Sequence, residues 1–152
     1  VLPVFLKYLR LAADRLGEGL NLYRAAALRS PASKRQRALR EVIVAEQVQR
    51  MLLSNHAILE FEDLRLQLAA EPDTQKAAAL LDRMENILRE EIARTKLSLL
   101  AATRDSRLGF QFETDYVYTP YSLREKLESL RETLERQLAQ RRKTISVAQN
   151  QN

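Results

Sequence analysis

The sequence predicts an all-α protein: a four-helix antiparallel bundle with an irregular aromatic-rich loop before the last helix. Three observations lead there. Apolar residues recur at alternating three- and four-residue steps through four long stretches. Turn signals separate the early stretches, at Ser30-Pro31-Ala32-Ser33 and at Glu71-Pro72-Asp73-Thr74. Hydrophobic residues make up 45% and charged residues 30%, with three Gly and four Pro. That balance suits a helical domain better than a disordered chain or a β-sandwich.

In the first stretch, about residues 3–28, Leu6, Leu9, Ala13, Leu16, Leu20, Tyr23 and Ala27 form one stripe. Gly17 and Gly19 weaken a helix by about 1 kcal/mol each relative to Ala, so a close helix crossing or a kink is expected there. Gly-Glu-Gly at 17–19 lacks the third glycine and the preceding strand of a nucleotide-binding loop. The second helix is expected from Ser33, with Gln36 completing a capping box, to about Ala70. Such a helix spans roughly 55 Å, and Ser54-Asn55 competes for backbone hydrogen bonds where a bend would fall.

Pro72 ends that helix, and Asp73 or Thr74 caps the next, about 75–103. Its apolar positions are Leu81, Met84, Leu88, Ile92 and Leu99, with Leu80 and Ile87 alongside. The last helix is expected to open with Ser122 and Glu125 as a capping box behind Pro120. Leu123, Leu127, Leu130, Leu134 and Leu138 make the most regular stripe in the chain. The expected domain is 1–142, and the tail KTISVAQNQN (143–152) has no period and is expected to be poorly ordered.

At 152 residues the chain has room for one core. It opens without a methionine and directly into helical sequence, as a piece of something longer would. No run of 18 apolar residues exists to cross a membrane as a helix. Cysteine is absent, which excludes disulfides and thiolate chemistry and identifies no compartment. The net charge of +5 is divided between the ends: residues 1–30 carry five basic and two acidic groups, and 123–152 carry seven and four. Small basic clusters at Lys34-Arg35-Arg37-Arg40 and Arg141-Arg142-Lys143 are not the concentrated stripe that nucleic acid binding requires.

The search for chemistry returns negatives. His56 is the one histidine, and a metal site needs several convergent ligands. No Glu-x-x-His pair of a di-iron bundle, no nucleophile elbow and no phosphate loop occurs. Glu90-Glu91 and Glu60, Glu62, Asp63 are sequence neighbours that a helix points in different directions. No catalytic, metal or cofactor residues are therefore assigned to the chain.

One segment stands apart. RDSRLGFQFETDYVYTPYS (104–122) interrupts the leucine period and holds five of nine aromatics. Asp105 and Arg107 are placed to cap a helix end and to form a planar ion pair. Phe110, Phe112, Tyr116, Tyr118 and Tyr121 either line a sugar-stacking or protein-binding surface, or close gaps by packing on the bundle or on a neighbouring domain. Packing is favoured over direct ligand binding.

These residues also carry a resemblance. Asp105-Ser106-Arg107-Leu108-Gly109-Phe110, then Glu113, Tyr116, Tyr118-Thr119-Pro120, Leu123 and Lys126, preceded by Ile87-Leu88-Arg89-Glu90-Glu91-Ile92-Ala93, is similar to the C-terminal end of large bacterial proteins of glycoside hydrolase family 163 and related family-20-like enzymes. The match covers about residues 84–130 and departs at Gln111-Phe112, where the pattern has its acidic residue closer to Gly109. The resemblance implies a parent that hydrolyses N-acetylglucosamine-containing glycans, secreted or periplasmic, with its catalytic carboxylates in a barrel outside these residues. This chain would be the helical module that packs on that catalytic domain, its loop reaching toward glycan. The alternative from another class is a free-standing helical module that binds a protein or nucleic-acid partner.

Overall fold

The computed structural model describes residues 1–108, 110–111, 115–116 and 118–149, with backbone alone at 110, 111, 115, 116, 148 and 149. The chain is helical as expected. Helix α1 runs Leu2–Arg29, α2 Ala32–Ala70 and α3 Thr74–Arg104. Two-residue strands β1 (Phe110–Gln111) and β2 (Asp115–Tyr116) pair antiparallel, Phe110 opposite Tyr116. The last helical segment comprises α4 (Pro120–Glu132), a π-helical stretch (Thr133–Leu138) and α5 (Ala139–Gln149).

Caps explain the boundaries. Asp73 accepts from the backbone N–H groups of Gln75 and Lys76 at 2.8 and 3.0 Å, which satisfies two orphan donors of α3. Two expected capping boxes are replaced. Helix α2 starts directly after Pro31 without a side-chain cap, so Ser33 lies inside the helix. Helix α4 starts one turn earlier than expected, with Thr119 as its cap: Thr119 Oγ1 accepts from Ser122 N at 3.0 Å. Pro120 takes the first helical position, where a missing N–H costs nothing.

The π stretch has a cause in the leucine pattern. Leu130, Leu134 and Leu138 follow at two consecutive four-residue steps, which drift around an α-helix. Widening the turn at Thr133–Leu138 keeps all three against the core. Of the residues expected as a poorly ordered tail, 143–149 continue as helix, where Ile145 is buried just after Arg142 reaches Asp82 and Glu85 of α3, and 150–152 lie outside the described residues.

Contacts between helices follow chain order: α1 with α2, α2 with α3, α3 with α4 and α5. Among the described residues α1 meets only α2. The apolar core is concentrated at one end, where Leu68, Leu81, Met84, Leu88, Leu138 and Ile145 meet with Phe61 and Leu134 packed on them. Along α1 the buried residues are Ala13, Leu20 and Ala27, a subset of the expected stripe, while Tyr23 is exposed. Gly17 marks the close crossing. The Gln49 side chain lies over it and donates to the Ala13 carbonyl at 3.0 Å. Helix α2 continues unbroken past Ser54-Asn55.

Candidate functional site

The core stripe of α3 is apolar at one end and polar at the other. Ala77, Leu81, Met84 and Leu88 are buried at alternating four- and three-residue steps, and the same steps continue into Glu91, Thr95, Ser98 and Ala102. Helix geometry therefore places a carboxylate and two hydroxyls in the interior of a helix whose Ile92 and Leu99 are only part-buried.

Glu91 is 3% exposed and fully engaged. Ser54 Oγ of α2 donates to it at 2.6 Å, Lys126 Nζ of α4 at 2.5 Å and Arg94 Nε at 3.2 Å. A buried carboxylate is tolerated only with such partners. These bonds tie three helices at one point. Tyr118 stands close by, and burial, followed by the Glu91 charge, pushes its phenol above the usual range.

The polar layer extends along α2. Arg50 Nε donates to Gln47 Oε1 at 2.9 Å, and Arg24 and Arg50 both pair with Glu46. Burial lowers the Arg50 pKa, opposed by Glu46. Gln47 Nε2, Arg50 Nη2 and Thr95 Oγ1 are buried without a hydrogen-bond partner. The layer is thus a set of partly and fully buried charges, most of which engage one another.

The predicted loop residues divide into groups. Asp105 closes the C-terminus of α3, its backbone N–H bonding the Ala101 carbonyl at 3.0 Å. Its carboxylate accepts from Arg107 N at 3.0 Å and from Arg107 Nη2 at 2.7 Å. Arg107, acting through these bonds, holds the Asp105 carboxyl well below the usual range, at about 2. The same guanidinium reaches Glu41 of α2 at 3.0 Å, and Leu108 is buried. This end of the loop is therefore fastened to its own chain.

Tyr118 joins the Glu91 layer, whereas Tyr121 lies on the first turn of α4, 68% exposed and bonded to Glu125. Phe110 and Tyr116 oppose each other in the ladder by backbone. Their rings, and Phe112, lie outside the described residues. Elsewhere, His56 Nδ1 lies 3.4 Å from Glu60, which Arg83 holds at 2.6 Å. Among the described residues no group of acidic or histidine side chains is arranged for a metal ion.

An open groove of about 320 Å³ runs between α2 and α4 over α3, lined by Ala57, Ile58, Phe61, Ile87, Leu88 and Leu130, with Glu62, Glu91 and Thr133 as its polar members. Its lining is mostly apolar side chain, with Ile58 more than half exposed.

Sequence reading missed the Ser54–Glu91–Lys126 centre because it assigned the interior of α3 to Ile92 and Leu99. The available signal was the step pattern from Ala77, which leads to Glu91 and Thr95 without a break. Compared with known proteins, the chain matches no family model, no curated protein and no solved structure.

Proposed function

We propose that this chain is a non-catalytic helical module that docks on a neighbouring catalytic domain of a larger, carbohydrate-active protein. The observation that carries the reading is the division of its side chains. The Glu91 carboxylate is held by Ser54, Lys126 and Arg94, while the α2–α4 groove that it borders leaves mostly apolar surface open. Exposed apolar surface of this kind marks a contact with another protein surface. We read the helices as an antiparallel bundle, since partner numbers fall along one helix as they rise along the next: Glu60 with Arg83, then Ser54 with Glu91. The nature of the parent rests on the resemblance at 84–130, and glycan contact at the loop on its aromatics.

The test is Ile58→Glu in the groove, introduced both in this chain and in a longer polypeptide carrying the neighbouring domain. The isolated chain should keep its melting temperature, because Ile58 is already largely wet. The longer protein should lose protection of the groove against proteolysis. Equal protection in both would end the docking reading. Chitooligosaccharides that leave Tyr emission unchanged to millimolar concentration would remove glycan from it.

A second reading, a free-standing module that binds nucleic acid or protein, has one observation in its favour. Lys34, Arg35, Arg37 and Arg40 are all exposed on the first turns of α2. Binding to duplex or single-stranded nucleic acid that survives physiological salt would select it.

A further inference from the structure

The buried atoms Gln47 Nε2, Arg50 Nη2 and Thr95 Oγ1, which have no hydrogen-bond partner, lie on facing sides of α2 and α3. Gln47 is 4% exposed and Thr95 2%. Helix geometry brings the three together. Gln47, Arg50 and Ser54 fall within about 60° of one another around α2, and Glu91 and Thr95 within about 40° around α3. Ser54 meets Glu91. Glu41, further back on α2, meets Arg107, just past the end of α3, so a step back along one helix is a step forward along the other. Arg50 is one turn back from Ser54, and Thr95 is one turn on from Glu91. The two therefore face each other one turn from the bonded pair. Gln47 joins them, because its Oε1 accepts from Arg50 Nε at 2.9 Å.

All three groups donate. An amide NH₂ and a guanidinium have no acceptor on those nitrogens, and only the Thr95 hydroxyl can also accept. Buried donors are costly to leave unmet, so three at one place call for a shared acceptor. A water takes two hydrogens and must then place two of its own, with Thr95 Oγ1 as the one acceptor among the three. An anion takes hydrogens from all of them and places none. The geometry points to a binding site for one small monovalent anion, chloride in size, held between α2 and α3 by Gln47 Nε2, Arg50 Nη2 and Thr95 Oγ1.

Charge agrees with this. In the pairs of the buried layer, Arg24, Arg50, Arg94 and Lys126 share two carboxylates, Glu46 and Glu91. Glu46 stands 3.7 Å from Arg50 Nη1, and burial outweighs it in lowering the Arg50 pKa. An anion at Nη2 supplies the missing countercharge. The way in from solvent is short, since the Arg24, Glu46 and Arg50 side chains are 47%, 25% and 13% exposed in turn.

Thermal melts at fixed ionic strength, with sodium gluconate exchanged for sodium chloride, test the proposal, because both salts screen surface pairs alike. Chloride at about 0.15 M should raise the melting temperature by about 3 °C or more over gluconate. Gln47→Leu and Thr95→Val each remove a donor and should cut that increment by about half or more. Thr95→Ser keeps the hydroxyl and should keep the increment. The readout is the difference between the two salts, so a general loss of stability in a variant does not imitate it. In bromide-soaked crystals of the natural chain, an anomalous peak should lie between Arg50 and Thr95. No chloride increment, or an equal one in Thr95→Val, would overturn the site. So would a water in its place, or bromide at exposed arginines alone, which marks an adventitious ion only. None of these outcomes depends on the groove, so the docking reading stands or falls separately.

Discussion

Ser54 of α2 donates its hydroxyl hydrogen to the Glu91 carboxylate of α3 at 2.6 Å, inside the protein, where both residues are almost fully buried. Lys126 of α4 completes the arrangement at 2.5 Å. The contact joins three helices by polar bonds, next to the main apolar cluster.

Removing the carboxylate should therefore cost more than removing the hydroxyl. Glu91→Ala strands the part-buried Lys126 and Arg94 charges and should destabilise by about 3 kcal/mol. Ser54→Ala removes one charged-acceptor bond while leaving the others, and should cost about 1.5 kcal/mol. Urea unfolding of the two single variants and the double variant measures this, and the double should fall short of the sum. A Glu91→Ala loss below that of Ser54→Ala would contradict the assigned centre.

The loop fastening should be visible in acid. Arg107 depresses the Asp105 carboxyl to about 2 from an ordinary 3.8. A folded pKa below the unfolded one contributes stability that is present above the ordinary value and lost as pH falls through the folded value. Thermal melts between pH 4 and pH 2 should thus fall less steeply in Asp105→Asn than in the natural chain. Arg107→Ala should lower the melting temperature at neutral pH as well, since it releases Glu41 along with Asp105. Superimposable acid limbs would show that the pair does not hold the loop.

The two glycines of α1 should respond differently to alanine. Gly19 faces open space, so Gly19→Ala should gain up to about 1 kcal/mol from helix propensity. A Cβ at Gly17 falls 2.5 Å from Gln49 Nε2, so Gly17→Ala must displace the amide that bonds the Ala13 carbonyl. Its gain should be smaller or reversed. Melting curves of the two variants decide it, and equal shifts would mean that the Gln49 contact carries no weight.

The last turns of the chain should matter to the core. Ile145 is 8% exposed and belongs to the main apolar cluster. Ile145→Ala should destabilise by about 2 kcal/mol, and a stop after Arg141 should cost more, since it also removes Arg142 from Asp82 and Glu85. A truncated chain with an unchanged urea midpoint would return these residues to the status of a tail.

Much of this molecule was legible in its residues. The helices at 2–29, 32–70 and 74–104 follow from apolar spacing, from Pro31 and Pro72, and from Asp73, because each of these acts within a turn or two of the backbone. Helix caps were harder. Thr119 and Ser122 are both competent caps three residues apart, and the helix uses Thr119. The continuation to Gln149 depended on Asp82 and Glu85, 60 and 57 residues away, meeting Arg142.

By itself, then, the sequence determined the helical class and the breaks between helices. Period and capping are local, and a motif search reads neighbours along the chain. Tertiary structure alone decided which faces are inside. Whether position 91 or position 92 of α3 turns inward is a rotation of about 100°, and packing against α2 and α4 decides it. That rotation buried Glu91 with Ser54 and Lys126.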